Sequence, residues 1–146
     1  MKRLVLKFGG TSVGNVAKIK KVANIIKKRH QEGNEIIVIV SAMSGNTNAL
    51  LDKSKLVSDN FDTKELDVLL SSGEQVSCAL LSGAIIDLGL KSRSWMGWQI
   101  PILTDNNHSS ASIINIETKE IIKFISKKGV AIIPGFQGIS SSGRIT

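Results

Sequence analysis

The sequence predicts an α/β protein, a three-layer αβα sandwich on a mostly parallel sheet. Strand and helix patterns alternate along almost the whole chain, as they do when βαβ units wind onto one sheet. The segment Glu35-Ile36-Ile37-Val38-Ile39-Val40 is a nearly unbroken β-branched run of the kind that a parallel sheet buries on both faces. Polar and glycine-rich residues follow three of the strands, at Gly9-Gly10, at Ser41-Ala42-Met43-Ser44 and at Gly135-Phe136-Gln137-Gly138. Open α/β sheets collect ligands at such strand ends, so these three segments are expected to face one crevice.

The elements follow in order. Leu4-Val5-Leu6 opens a first strand that runs through Lys7 into the double glycine. In the next segment Val16, Ile19, Val22, Ala23 and Ile26 recur at the spacing of a core-facing helical stripe. Lys18, Lys20, Lys21, Lys27, Lys28 and Arg29 take the polar face. Gly33 and Asn34 stop that helix. After the second strand a helix is expected over residues 46–57. Asp62 and Glu65 are spaced as a capping pair for a segment that continues through Leu70. Ser71-Ser72-Gly73-Glu74 is read as an interruption, and Val76, Ala79, Leu80, Gly83 and Ala84 as the close-packing stripe of a new helix, closed by Gly89. Strands are then expected near 91–95, 102–104 and 130–133, with a further candidate at 112–116 and a helix over about 117–128. Pro134 fits only at the end of its strand, where the missing amide is harmless.

Composition bounds the function. A length of 146 residues, 42% hydrophobic and 21% charged, suits one domain with an ordinary core. No apolar run approaches the roughly 18 residues of a membrane span, and the chain enters a strand instead of a signal peptide, so a cytoplasmic, membrane-free setting is expected. The net charge of +7 invites nucleic acid, but the lysines lie on polar helix faces, Tyr is absent and no nucleic-acid module is recognisable. A solvated basic face is the preferred reading, with no nucleic-acid partner. Cys78 sits in an apolar helical pattern and reads as a buried spectator; no disulfide or Cys/His metal site is expected. His30 and His108 are taken as solvated histidines with no nucleophile beside them. Trp95 and Trp98 are taken as packing.

Lys7-Phe8-Gly9-Gly10-Thr11-Ser12-Val13 joins a strand to a helix through two glycines. The glycines let the backbone approach an anion, the amides at the following helix start point at it, and Lys7 adds a mobile positive charge. The lysine precedes the glycines, so this is neither a Walker loop nor a G-x-G-x-x-G fingerprint. On geometry alone a tight turn with no ligand is the commoner reading.

The same seven residues resemble the opening signature of aspartate kinases, within the amino-acid kinase family. Three further segments resemble that family in the expected order: Ser41-Ala42-Met43-Ser44-Gly45-Asn46-Thr47-Asn48, Ser72-Gly73-Glu74-Gln75-Val76-Ser77, and Gly135-Phe136-Gln137-Gly138 with Gly143-Arg144-Ile145-Thr146. The resemblance implies transfer of the ATP γ-phosphoryl group to the side-chain carboxylate of aspartate, giving 4-phospho-aspartate, the first step toward lysine, threonine, methionine and diaminopimelate. It implies ATP, with Mg2+ carried by the nucleotide. It assigns Lys7 as the catalytic residue and Lys7, Phe8, Gly9, Gly10 and Ser12 to the nucleotide phosphates. Ser41 and Thr47 are assigned to the aspartate carboxylate and Glu74 to its ammonium group. Without the resemblance, Ser41 reads as a cap, Thr47 as a helix start and Glu74 as a favourable charge at a helix N-terminus.

Family members run on into a Leu-Gly-Arg-Gly-Gly-Ser-Asp loop, the rest of the nucleotide site and paired ACT regulatory domains. Residues 1–146 are therefore expected to be the N-terminal portion of the kinase domain, with little turnover alone. A sheet cut midway leaves an edge and an apolar face, so a homo-oligomer or a partner segment is expected. Two other readings stand beside this one. One is a kinase of the same fold for glutamate, carbamate or a nucleoside monophosphate, against which the Thr-Ser pair and the 41–47 loop argue. The other is a non-catalytic remnant or a partner-dependent subunit of a split kinase.

Overall fold

The computed structural model describes residues 2–146. In chain order the elements are β1 (Arg3–Phe8), α1 (Val16–Gln31), β2 (Glu35–Val40), α2 (Asn46–Val57), α3 (Thr63–Asp87), β3 (Ser92–Ser94), β4 (Ile102–Thr104), β5 (Ile113–Ile116), α4 (Lys119–Ile125), β6 (Val130–Pro134) and β7 (Ile139–Ser140). Four strands form one parallel sheet in the order β1-β2-β6-β3. Because β1, β2 and β6 run the same way, Phe8, Val40 and Pro134 lie side by side at one end.

Alternation along β2 and β6 feeds two cores. Ile36, Val38, Val40, Val130 and Ile132 pack with Ile19, Val22, Ile26, Leu81 and Ile85 of α1 and α3. Ala131 and Ile133 face the other way, onto Trp95, Ile100 and the α4 residues Ile121 and Ile125. Helices on both sheet faces make the predicted three layers. The basic residues of α1 stay on its outer side, and Lys28, Arg29 and His30 occupy its last turn, where the helix dipole favours cations. Val16 is exposed, so the buried stripe begins one turn later than its spacing suggested.

The segment read as two helices is one. α3 runs 25 residues without a break. Ser71 and Ser72 turn their hydroxyls back onto the carbonyls of Val68 and Leu69, at 2.8 and 2.6 Å, so they are satisfied inside the helix instead of ending it. Its orientation also differs from expectation. Val76, Ala79, Leu80 and Gly83 face outward, and Ser77, Cys78, Leu81, Ser82 and Ile85 face the sheet. Small polar side chains can be sealed there because each finds a partner. Cys78 Sγ donates to the Ile132 carbonyl at 3.3 Å and Ser82 Oγ lies 3.0 Å from Ser92 Oγ. Burial pushes the Cys78 thiol up to about 12, which fits a spectator. By length and composition α3 is also long and apolar enough to cross a bilayer, which counting unbroken apolar runs did not reveal; half of that stretch is buried in the fold.

A second, three-stranded sheet, β5-β4-β7, was not expected. β4 and β5 pair antiparallel and β4 and β7 parallel. With strands of 3, 4 and 2 residues, there is too little sequence for a period to register.

The solvated reading of His108 is overturned. Its Nδ1 lies 2.7 Å from Asp67 Oδ2 on α3, with side chains only 6% and 2% exposed. The Ser109 amide donates to both Asp67 oxygens, at 3.1 and 3.0 Å. The partner is 41 residues away in sequence, so no local pattern announced it. His108→Ala should lower the unfolding free energy by about 1 to 3 kcal/mol, the usual range when a buried acceptor loses a partner, read as a shift in urea midpoint. Trp95 is buried with its ring edge-on to Phe124 at 5.7 Å, as packing requires, and Trp98 is 43% exposed.

Candidate active site

Three strand ends converge on one crevice, and glycine makes the convergence close. A Cβ on Gly10 would stand 2.9 Å from the Ala42 carbonyl oxygen, and one on Gly135 would stand 3.3 Å from that of Val40. Neither backbone oxygen can swing away as a side chain could. The Ser41 amide donates to Phe8 O at 3.1 Å and the Gly135 amide to Val40 O at 2.8 Å, which sets the three loops in register.

The first loop differs in one respect from its sequence reading. Helix α1 starts only at Val16, capped by the Asn15 side chain on the Lys18 amide at 2.9 Å. Residues 9–13 form a turn in which the Ser12 and Val13 amides donate to Gly9 O, at 2.9 and 3.3 Å. The helix terminus therefore does not abut the double glycine. Among the described residues, the amides of Gly9, Gly10 and Thr11 donate to no backbone carbonyl, and these loop amides, not helix amides, are the donors open to an anion. Lys7 lies exposed on β1, with Ile39 as its neighbour across the sheet. Phe8 turns its ring to the core, and Ser12 is exposed.

Beside this loop is a cavity of about 450 Å³ lined by Gly10, Thr11, Ser41, Ala42, Met43, Ser44, Gly45, Thr47, Glu74 and Phe136. The structure thus brings Gly10, Ser41, Thr47 and Glu74 to one wall system. Lys7, Phe8, Gly9 and Ser12 stand outside it. Thr47 lies in the first turn of α2, which follows Gly45 at φ 79°, a left-handed conformation that favours glycine. Gly73 permits α3 to lie close, since a Cβ there would meet Ala42 Cβ at 3.2 Å and Asn46 Nδ2 at 3.4 Å.

Glu74 is not at a helix start. It sits inside α3, 7% exposed, and its Oε1 accepts the Ala42 amide at 3.1 Å. The helix-terminus explanation of this residue therefore fails. Burial raises its carboxyl above the ordinary range, and the Ala42 amide partly opposes that rise. It is the one ionisable side chain among the cavity's lining residues. A buried carboxylate in a wall of hydroxyls and backbone is incomplete without a cation, and a ligand ammonium group has the matching charge and donors.

Two contributors lie in segments expected to face the crevice but carried no assigned role. Phe136 lines this cavity and adopts φ 51°, uncommon for a bulky side chain. It also lines a neighbouring apolar cavity of about 370 Å³ that includes Asp67, Ile102, Ile133 and Gln137. Gln137 Oε1 accepts the Gly97 amide at 3.1 Å while its buried Nε2 has no partner. The other contributor, the Ala42 amide, belongs to a residue whose side chain carries no chemistry.

Known proteins share the sequence pattern and the fold of this chain. Aspartate kinase of Pseudomonas putida is 43% identical over 146 residues, 100% of this chain and 36% of that protein. The chain thus spans about a third of the length of the curated relatives it matches. The crystal structure of aspartate kinase from Synechocystis superposes with a TM-score of 0.77 at 38% identity, covering 92% of this chain and 22% of that one. E. coli aspartokinase III, solved in complex with aspartate and ADP, shares the fold, with a TM-score of 0.80 at 18% identity over 97% of this chain and 42% of its own. The model of the amino acid kinase family matches residues 2–146, and with the parallel sheet, the two helical layers and the glycine-braced strand ends in place, the chain belongs to the amino acid kinase family.

Proposed function

We propose that this chain supplies the acceptor side of an aspartate kinase, in which a side-chain carboxylate oxygen of aspartate attacks the γ-phosphorus of ATP and the bond to the ADP oxygen breaks. The observation that carries the reading is Glu74: a buried carboxylate, alone in charge, on the wall of a cavity otherwise lined by hydroxyl groups, backbone and apolar side chains. It suits the substrate's ammonium group, while Ser41 and Thr47 suit a carboxylate through hydroxyl donors. The unpaired amides of Gly9 and Gly10 fit phosphate oxygens. Lys7, which no carboxylate of the described residues pairs with, fits the charge on the transferred phosphoryl group. Phosphoryl transfer of this kind rests on alignment and charge neutralisation.

Mg2+ enters on the nucleotide in this reading. A cytoplasmic setting and an oligomer complete the proposal. The test is a chimera in which residues 1–146 replace the matching segment of the Pseudomonas putida enzyme, assayed with ATP and aspartate by trapping acyl phosphate as the hydroxamate. Hydroxamate formation that saturates with aspartate supports the reading; a soluble, folded chimera that gives none with aspartate overturns it.

A further inference from the structure

Helix α3 grips a single peptide unit from two sides. The bond joining Ser41 to Ala42 presents its amide to Glu74 Oε1 at 3.1 Å and its carbonyl to Ser77 Oγ at 2.6 Å. Glu74 and Ser77 stand three residues apart, hence on the same face of the helix. Ser77 is fully buried, and its Oγ also lies 3.1 Å from Glu74 O, in its own helix. One hydroxyl proton serves one strong bond, and the shorter contact takes it.

The bracket has a consequence for the carboxylate. With Oε1 fixed on the Ala42 amide, Oε2 is the oxygen left for a ligand. The rotamer of Glu74 then depends on where the 41–42 peptide lies, and Ser77 sets that. Gly73 lets the two backbones come close enough for both bonds, its missing Cβ facing Ala42 Cβ at 3.2 Å.

We infer that Ser77 is a positioning residue, which holds the Ser41–Ala42 peptide so that Glu74 aims its second carboxylate oxygen into the cavity. The inference rests on the reading of that cavity as the ammonium-binding part of an aspartate site. It adds a residue that touches no ligand and acts through the peptide and Glu74.

The experiment uses the chimera, in which residues 1–146 stand within the Pseudomonas putida enzyme, as wild type and as four variants: Ser77→Ala, Ser77→Cys, Glu74→Gln, and Ser82→Ala as a control that removes a buried hydroxyl on the same helix away from the cavity. Ala42 amide exchange and proton shift are followed by NMR, aspartate affinity by calorimetry, and stability by thermal melting. Ser77→Ala should speed Ala42 exchange, shift its amide proton upfield and weaken aspartate about three- to tenfold, the span of one ordinary hydrogen bond. The thiol of Ser77→Cys, a weaker donor, should restore part of both signals and keeps the test alive if the alanine variant unfolds. Ser82→Ala should lower the melting temperature and leave both signals alone. If the Ser77 variants melt lower while the Ala42 signal and aspartate affinity stay at wild-type values, the hydroxyl is merely structural and the inference is overturned. If wild type binds no aspartate, or Glu74→Gln binds it as well as wild type, the cavity's substrate reading falls and the role of Ser77 in substrate binding falls with it.

Discussion

Lys7→Ala is expected to depress turnover in the chimera by about 10²-fold or more, with a much smaller change in the Michaelis constant for aspartate. Removing one preorganised donor from the charge that develops in a transition state has losses of this size. The residue's position explains the selectivity. Lys7 is at the end of β1, exposed, beside the free amides of Gly9 and Gly10 and outside the cavity that holds Glu74. A side chain so placed can reach the phosphoryl group without touching the amino end of the acceptor. Single-turnover acyl phosphate formation at saturating aspartate is the measurement. Turnover within threefold of the parent would remove Lys7 from the mechanism.

Glu74→Gln is expected to act on the other half of the site, raising the aspartate Michaelis constant about 10- to 100-fold with turnover nearly kept. A charge-assisted hydrogen bond is worth roughly 1.5 to 3 kcal/mol, and it is present in the ground and transition states alike. The same substitution has a second signature in the ligand-free chain, opposite in sign. The folded-state carboxyl titrates above its unfolded value because it is buried. Its contribution to stability is thus intact below the ordinary carboxylate pKa and is lost as pH rises through the raised one. Glutamine keeps an acceptor for the Ala42 amide and has no charge to desolvate. The melting temperature of Glu74→Gln relative to wild type should therefore climb between pH 4 and pH 7. A difference that stays flat across that range would mean the carboxylate is not desolvated as the fold implies.

The parts of this fold that could be read from sequence are those in which one short-range rule dominates. β2 shows itself through β-branching, α1 through its apolar stripe, and α2 is bounded by residues 46–57 as expected. The convergence of strand ends also followed, because parallel strands leave no other place for the polar loops. Failure came where a local rule has two outcomes or where a residue's partner lies far along the chain. Ser71-Ser72-Gly73 looked like a helix break since hydroxyls and glycine usually compete with helical bonds, but here the hydroxyls bond within the helix and the glycine faces Ala42. The outward face of α3 was mistaken for its inward one because Val76, Ala79 and Leu80 are outside while Ser77 and Ser82 lie inside beside Leu81 and Ile85, each hydroxyl with a partner in the fold. His108 appeared solvated only because Asp67 is in another element. Of the candidate site, Glu74 was singled out through its motif, but its physical setting, mid-helix and amide-bonded, was not legible from spacing.

Asp67 and Glu74 are two turns apart on one uninterrupted helix, about 10 Å along its axis at 1.5 Å per residue. The first is pinned by the loop at His108 and Ser109, and the second pins the loop at Ala42. The two turns of α3 between them are thus a stiff strut held at two points, and its two attachments belong to neighbouring cavities that share Phe136 as a common wall. Neither chamber can be widened by sliding that strut without disturbing the other, so ligand shape in one and loop order at the other are set by a single mechanical part.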